Sequence, residues 1–342
     1  MFFMAGPRFF QLTLSFLVLV ASFTLSSGVF AADELVVYSA RKEHLIKPVL
    51  DRYTKETGVK IKLLTDKAAS LLVRLKAEGS NTPADLLITV DVGNLWQAVA
   101  QGVLLQINSE VLKKNVPHHL RDPKGRWFGL SIRARTMVYN TEKVKTADLS
   151  TYEALGGALW KNRLCLRTSK KVYNQSLVAM MIAELGTEKT EQVIKSWINN
   201  LAAPVFSSDT KVLEAIAAGQ CDVGIINTYY YGRLLRKKPS LPLALFWPNQ
   251  EGRGVHVNIS GAGVTKHSKK QKAASTLLEW LSSKAAQNLF ADGNMEYPVN
   301  PNVKTASEVA AWGEFKQDES NLAKAGELQK EAIQLMDRMG YK

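Results

Sequence analysis

The sequence predicts an α/β protein of two lobes with a ligand cleft between them. Three features indicate this fold. Strand patterns alternate with helix patterns from residue 34 onward, as in sheets that are covered by helices. The alternation is interrupted at 126–131, and a second series of strands and helices follows. Two segments, at 131–136 and 255–259, lie where a strand would cross between lobes. Clefts between lobes are common sites for small ligands.

The first lobe is predicted to contain three strand–helix units. Strands are expected at 34–39, 59–65 and 84–89, and helices at 44–57, 68–79 and 95–101. Because a helix separates each strand from the next, we expect these strands to be parallel. Ligands bind beyond the carboxyl ends of such strands, so 39–41, 65–66 and 89–91 should lie near the cleft.

The second lobe is predicted from a similar series. Strands are expected at 136–140, 164–167 and 221–226, and helices at 173–185, 188–201, 209–219 and 306–339, with a further helix at 269–289 that belongs to the first lobe. The strand at 221–226 should enter a loop that holds three consecutive tyrosines. With the two crossings, we expect 32–131 and about 258–305 to form the N-terminal lobe. The C-terminal lobe would then comprise 132–257 and about 306–342.

The first residues have the composition of an export signal. Arg8 is their only charge, Phe9 to Leu25 is strongly apolar, and Val29-Phe30-Ala31 fits a cleavage site between small residues. We therefore expect 1–31 to be a signal peptide. No later segment has the length of about eighteen apolar residues that a spanning helix needs, so a soluble mature protein is expected.

The distribution of charge and the predicted export argue against one class of partner. The chain carries 44 Lys and Arg against 31 Asp and Glu, a formal net charge of +13. Such a balance is found in nucleic-acid-binding proteins. Here the lysines are scattered through predicted helices and the protein is predicted to be exported, so no nucleic acid partner is expected. We expect a solvated basic surface on a monomer.

The two cysteines indicate an oxidising compartment. Cys165 and Cys221 each lie beside a predicted strand. Two cysteines in an exported protein are usually paired, so we expect one disulfide. Neither their number nor their spacing fits a zinc site.

The run Tyr229-Tyr230-Tyr231 has two interpretations. Aromatic rings after a buried strand can simply cap a core. Alternatively, adjacent phenols can converge on a hard, highly charged cation. The reference pKa of tyrosine is near 10, so a phenolate at neutral pH requires such a cation beside it. From the residues alone, both interpretations remain open.

Several segments together resemble a known family. They are 36–41, 84–96, 172–176, Cys221-Asp222, Asn227–Tyr230, 256–264 and 296–299. In this order and spacing they resemble the periplasmic ferric-iron-binding proteins of bacterial ABC importers, over nearly the whole mature chain. The resemblance implies the class II type of periplasmic binding protein fold, with hinge crossings and a central cleft. It also implies Fe³⁺ as ligand, a periplasmic location, an inner-membrane ABC permease as partner, and no enzymatic activity.

The resemblance also implies a ligand set. The family's tyrosine pair falls on Tyr229 and Tyr230, and in its tyrosine-rich, transferrin-like branch a third ligand falls on Tyr173. Tyr231 has no counterpart, so we expect it to pack. Three phenolates would balance the charge of Fe³⁺ and leave the buried site neutral.

One segment departs from the family pattern. Many members carry His-Tyr after the first strand, whereas Lys42 and Glu43 stand here, followed by His44. Glu43 or His44 could ligate the metal, or both could merely begin a helix. If neither ligates, an anion such as carbonate, with water, would complete about six positions. Such an anion could be held by Arg41, Arg133 and Arg135 through forked hydrogen bonds; each arginine could instead form a structural salt bridge.

Two other functions remain as alternatives. A binding protein of the same fold could use its tyrosines to contact a polyamine, thiamine or phosphate. An exported hydrolase would need a nucleophile with a base, yet neither Ser39 nor Ser131 lies in a Gly-x-Ser-x-Gly elbow. No phosphate-binding loop signature occurs. We therefore expect a binding protein and not an enzyme.

Overall fold

A computed structural model describes residues 1–3 and 34–342. The chain divides into two compact units, Met1–Ala32 and Asp33–Lys342, and the architecture below is that of the second. The predicted signal peptide, apart from its first three residues, lies outside the described residues. Among the described residues, no helix is both long enough and apolar enough to cross a membrane.

The second unit contains eight strands and thirteen α-helices. The strands are β1 (Glu34–Ser39), β2 (Lys60–Thr65), β3 (Leu86–Val90), β4 (Phe128–Asn140), β5 (Leu164–Cys165), β6 (Val223–Asn227), β7 (Leu243–Phe246) and β8 (Val257–Val264). The helices are α1 (Glu43–Thr57), α2 (Ala68–Glu78), α3 (Val92–Ala100), α4 (Glu110–Asn115), α5 (Val172–Leu185), α6 (Thr187–Asn199), α7 (Asp209–Ala217), α8 (Thr228–Lys237), α9 (Gln271–Leu281), α10 (Lys284–Asn294), α11 (Ser307–Ala310), α12 (Ala323–Glu327) and α13 (Gln329–Arg338).

The strands form one mixed sheet in the order β2-β1-β3-β8-β4-β6-β5, with β7 also paired to β4. The prediction of parallel strands is confirmed for β1 with β2 and β3 and for β5 with β6. It is wrong for the middle of the sheet, where β8 is antiparallel to β3 and β4, and β4 is antiparallel to β6 and β7. Strands β4 and β8 contain the predicted crossing segments, so the alternation of strands and helices that predicts parallel pairing does not apply to them.

The long strand β4 joins two half-sheets. Its first part, from Phe128 to Ala134, pairs with β8, and its second part, from Arg135 to Asn140, pairs with β6 and β7. We call β2, β1, β3, β8 and the first part of β4 the first half-sheet, and the remaining strands the second half-sheet. The strand predicted at 136–140 is therefore only the end of a longer strand that includes the predicted crossing. All residues of β4 are buried.

The loop predicted after β6 is a helix. Helix α8 begins at Thr228, directly after the strand, so Tyr229 and Tyr230 lie in its first turn. No side chain caps this helix start. Its apolar face packs beside buried Val138, Cys165 and Ile226 instead, and tertiary packing supplies most helix stability in proteins. Local sequence therefore carried little signal for this helix.

Two further helix predictions need correction. The helix predicted at 269–289 is two helices, α9 and α10, which are separated at Ser282 and Ser283. The C-terminal helical segment is broken into α11, α12 and α13. The first piece ends at Ala310, and Gly313 follows it with a left-handed backbone conformation, at φ of 92°. Helix α12 packs against both α3 and α5 and so contacts elements of both half-sheets.

A disulfide fastens the second half-sheet. It joins Cys165 of β5 to Cys221, which precedes β6, and both cysteines are buried. Because β5 is only two residues long, few ladder hydrogen bonds hold it. The covalent link therefore restrains the strand from which the chain continues to α5.

Candidate metal centre

Three tyrosines converge at the ends of two neighbouring strands. Tyr173 is the second residue of α5, and Tyr229 and Tyr230 are the second and third residues of α8. The parallel strands β5 and β6 lead to these helices, so both helix starts emerge at one edge of the sheet. The Tyr229 hydroxyl donates to the Tyr173 hydroxyl oxygen at 3.3 Å. The ring centroids of Tyr229 and Tyr230 are 4.4 Å apart.

Burial keeps the phenols of Tyr173 and Tyr229 protonated in the absence of a ligand. The side chains of Tyr173 and Tyr229 are only 8% and 6% exposed. Burial raises the pKa of Tyr229 well above its ordinary value, and the neighbouring Tyr173 and Tyr230 phenols raise it further. Burial also raises the pKa of Tyr173, while the Arg133 guanidinium opposes that shift. A ligand that takes these oxygens as phenolates must therefore supply strong positive charge.

Two cations on the β5–α5 connection lie against the phenols. The Arg167 guanidinium lies 5.6 Å from the ring centroid of Tyr173 and 6.0 Å from that of Tyr230. The Lys171 ammonium lies 4.8 Å from the Tyr173 ring. Sequence analysis missed both residues. Their position at the carboxyl end of a predicted strand, shortly before Tyr173, was the signal that could have found them.

Two further arginines face the tyrosines from other elements. The guanidinium of Arg133, in β4, lies 5.7 Å from the Tyr173 ring centroid. That of Arg233 lies 5.0 Å from the Tyr229 ring centroid. Arg233 was also missed, although its place one helical turn after Tyr229 predicts this contact once α8 is known to be a helix. The phenols thus lie among positive charges that favour their ionised form.

Arg41 and Arg135, both predicted to bind an anion, are engaged inside the protein. Arg41 forms a buried ion pair with Glu296 at 2.7 Å and also donates to the hydroxyls of Ser131 and Ser260. Arg135 pairs with buried Asp209 at 3.2 Å and donates to the side-chain oxygens of Asn174 and Asn227. Their guanidiniums stabilise the frame around the site.

Arg133 differs from these two arginines. It is buried, and its Nη1 donates to the Ser260 hydroxyl at 3.1 Å. Its Nε and Nη2 atoms are buried without a hydrogen-bond partner among the described residues. Unpaired buried donors are costly, so they commonly mark a place where a ligand or water binds. Among the three predicted arginines, Arg133 has the most donors left for an anion among the described residues: two, against the single Nε of Arg41.

Glu43 and His44 lie apart from this network. They are exposed residues in the first turn of α1. Within the described part of the chain, neither side chain forms a hydrogen bond or an ion pair, and no group of three His, Cys, Asp or Glu side chains is arranged to hold a metal. The oxygen donors that lie together at this site are the phenols of Tyr173 and Tyr229, with the Tyr230 ring beside them.

Buried polar groups orient the tyrosine pair. The Asn227 side-chain amide donates to the Tyr229 hydroxyl at 3.4 Å. Asp209 accepts from the Asn227 backbone amide at 3.0 Å, and its other oxygen lies 3.4 Å from Arg167. Tyr231 points elsewhere: it is buried, its hydroxyl donates to the Leu243 carbonyl, and its ring packs edge-on against Trp312. The packing role predicted for Tyr231 is confirmed.

The two half-sheets share the crossing strand β4, and polar groups are buried where the half-sheets meet. This is the arrangement of two-lobed solute-binding proteins. The chain belongs to the family of bacterial extracellular solute-binding proteins, whose model matches residues 49–317. It is 40% identical, over 98% of both chains, to "Iron uptake protein A1" of Synechocystis sp. strain PCC 6803.

Solved structures of iron-binding proteins have the same fold. The Trichodesmium protein named IdiA or FutA, solved with iron and citrate ligands, is 42% identical with a TM-score of 0.88, covering 90% of this chain and 100% of that one. Apo FutA2 from Synechocystis PCC6803 is 38% identical with a TM-score of 0.87, covering 91% and 100%. The predicted resemblance and the two-lobed α/β fold are confirmed.

Proposed function

We propose that this protein binds Fe³⁺ through the phenolates of Tyr173, Tyr229 and Tyr230 and delivers it to an ABC permease of the inner membrane. The observation that carries the proposal is the meeting of the three phenols, two of them with hydroxyls 3.3 Å apart. Hard, highly charged cations prefer anionic oxygen ligands. Three phenolates balance the charge of Fe³⁺, so the metal can be buried without an unpaired charge. The iron-uptake relative and the iron-bound neighbour support this reading.

Iron titration of single variants tests the ligand set. Tyrosinate–Fe³⁺ absorbs visible light, so the loaded wild type should be coloured. Tyr173→Phe, Tyr229→Phe and Tyr230→Phe should each shift or bleach the band and weaken binding by about a hundredfold, because each leaves buried positive charge uncompensated. Tyr231→Phe is the matched control and should behave as wild type. An unchanged band and affinity in Tyr173→Phe or Tyr230→Phe would refute the set.

An anion is proposed to complete the coordination sphere. Arg133 has two free buried donors, and Arg167 and Lys171 lie beside the phenols. These three cations suit carbonate or another small oxyanion, whereas Arg41 and Arg135 serve the frame. Iron binding should therefore weaken in carbonate-free, anion-poor buffer and recover with bicarbonate. If Glu43 or His44 ligates instead, Glu43→Gln or His44→Ala should cost affinity and bicarbonate should matter little.

The remaining parts of the proposal concern location and assembly. Residues 1–31 would direct export to the periplasm and be removed. The lobes would comprise 32–131 with about 258–305, and 132–257 with about 306–342, with iron held in the cleft between them. The mature protein would act as a monomer that carries iron from the periplasm to the permease. Extracellular solute binding is the property of the family as a whole.

A further inference from the structure

Asp91 has a backbone conformation that non-glycine residues rarely adopt. It ends the connection from β3 to α3 with φ of 76° and ψ of 132°, and its side chain is fully buried. An L-residue at this φ is strained, because its Cβ meets the neighbouring backbone. Such strain persists only where surrounding contacts outweigh it, and it clusters at functional sites. The hydrogen bonds of the Asp91 side chain therefore indicate what this residue does at the site.

The Asp91 carboxylate binds three elements at once. Its Oδ1 accepts from the Ser176 hydroxyl at 2.6 Å and from the Gly93 amide at 2.9 Å. Its Oδ2 accepts from the Asn258 side-chain amide at 3.0 Å. Gly93 belongs to α3, which follows β3, and Asn258 belongs to β8. Both of these strands are in the first half-sheet. Ser176 belongs to α5, which follows β5 of the second half-sheet, so this one carboxylate joins the two.

The contact with Ser176 acts on the tyrosine end of α5. Ser176 lies three residues after Tyr173, and residues at this spacing share one face of a helix. Both Ser176 and Asp91 are fully buried, which strengthens a hydrogen bond to an ionised group. Burial raises the pKa of the Asp91 carboxyl, and the buried guanidinium of Arg133 opposes that shift and so favours the ionised form. The first turn of α5 is thus tied to the β3–α3 connection.

We propose that Asp91 is a positioning residue of the metal centre, whose bond to Ser176 holds the first turn of α5, and with it Tyr173, in place across the two half-sheets. This inference rests on the proposed Fe³⁺ binding. Asp91 need not touch the metal. If only a fraction of the molecules hold Tyr173 in the arrangement that binds the metal, the apparent affinity is reduced by that fraction.

Two variants separate this role from a purely backbone role. Asp91→Gly removes the carboxylate but adopts φ of 76° without strain. Ser176→Ala removes one hydroxyl and leaves the backbone of Asp91 alone. Ser275→Ala is the control, because the Ser275 hydroxyl also lies in a helix but bonds only to the Gln271 carbonyl. All are measured well below their melting temperatures, and Ser176→Ala alone is sufficient should Asp91→Gly fail to fold.

The measurements are Fe³⁺ affinity by competition with citrate and amide hydrogen exchange in 172–176 of the metal-free protein. Asp91→Gly and Ser176→Ala should bind Fe³⁺ about tenfold more weakly, as loss of a hydrogen bond to a charged group predicts. Exchange at the start of α5 should be faster, the visible band should keep its position, and Ser275→Ala should match wild type. Wild-type affinity in either folded variant would overturn the proposal.

Two further outcomes are equally decisive. Weaker binding without faster exchange would overturn it, since Asp91 would then act on the metal and not through α5. If the wild type itself binds no iron, the proposed function fails, yet the exchange comparison still applies. Unaltered exchange in both variants would then refute the positioning role, and faster exchange would support it.

Discussion

At the residue scale, the centre contains two buried phenols, those of Tyr173 and Tyr229, whose ionisation depends on nearby charge. Burial raises the pKa values of Tyr173 and Tyr229, and Arg133 opposes both shifts. Each phenol must give up a proton before it can ligate a metal, so metal binding and proton release are coupled. Below the phenol pKa values, a rise in pH must therefore strengthen binding.

This coupling predicts the effect of Arg133→Gln. Loss of the guanidinium should raise the pKa of both phenols, so more protons must be displaced at a given pH. The pH at which Fe³⁺ binding is half-maximal should move upward, with the largest loss of affinity on the acid side. Spectrophotometric iron titrations between pH 5 and about pH 8 measure it.

The control for that experiment is Arg126→Gln. Arg126 pairs with Asp122 at 2.7 Å and is not among the charges that act on the phenols. A pH profile of Arg133→Gln that coincides with those of the control and the wild type would show that Arg133 has no electrostatic part in the site.

At the element scale, the start of α8 positions two of the tyrosines. Gly232 lies in this helix where it approaches Met295 and Trp312. A Cβ at position 232 would clash with the Met295 sulfur and would lie 2.5 Å from Cζ2 of Trp312. Glycine is therefore required at this position because only it allows the helix to pack so closely, and the packing determines where the Tyr229 and Tyr230 hydroxyls lie.

Gly232→Ala should displace α8 and disturb the metal centre. We expect a loss of about 1–3 kcal/mol in unfolding free energy from overpacking, together with a shifted or weaker iron band. Gly293→Ala is the matched control, because a Cβ there meets no neighbour and alanine favours helix by about 1 kcal/mol. Chemical denaturation and iron titration measure both effects. Equal stability and an equal iron band in the two variants would contradict this account of α8.

At the scale of the whole molecule, long-range links hold the frame of the site. Arg41–Glu296 and Arg135–Asp209 are buried ion pairs, and the disulfide Cys165–Cys221 closes a segment of 56 residues. That segment contains α5, α6 and α7. The disulfide is the covalent link within the half-sheet that carries all three tyrosines.

Reduction of the disulfide should destabilise the protein without removing any proposed ligand. Closing a loop of 56 residues contributes about 4 kcal/mol by restricting the unfolded chain. The unfolded, unreduced protein should show no free thiol, and reductant should lower its melting temperature. A variant with both cysteines changed to alanine should not respond to reductant. Two titratable thiols in the unreduced wild type would disprove the bond.

The sequence by itself determined the order and type of most elements, because their periodicity and their glycine boundaries are local. It also determined the resemblance that singled out Tyr173, Tyr229 and Tyr230. Only the tertiary structure decided which groups Arg41 and Arg135 pair with. Arg41 meets Glu296 from 255 residues away, and Arg135 meets Asp209 from 74 residues away. Such pairings depend on how β4 and β8 cross, and no local pattern encodes that.

The same limit explains the remaining differences. The first turn of α8 has no capping side chain, so packing from distant residues makes it a helix where local signals favoured a loop. The bond of Asp91 to Ser176 spans 85 residues, so no local pattern predicted it. The sequence thus determined which side chains this protein has for binding a metal, whereas their geometry and charge environment arose only when distant segments were packed together.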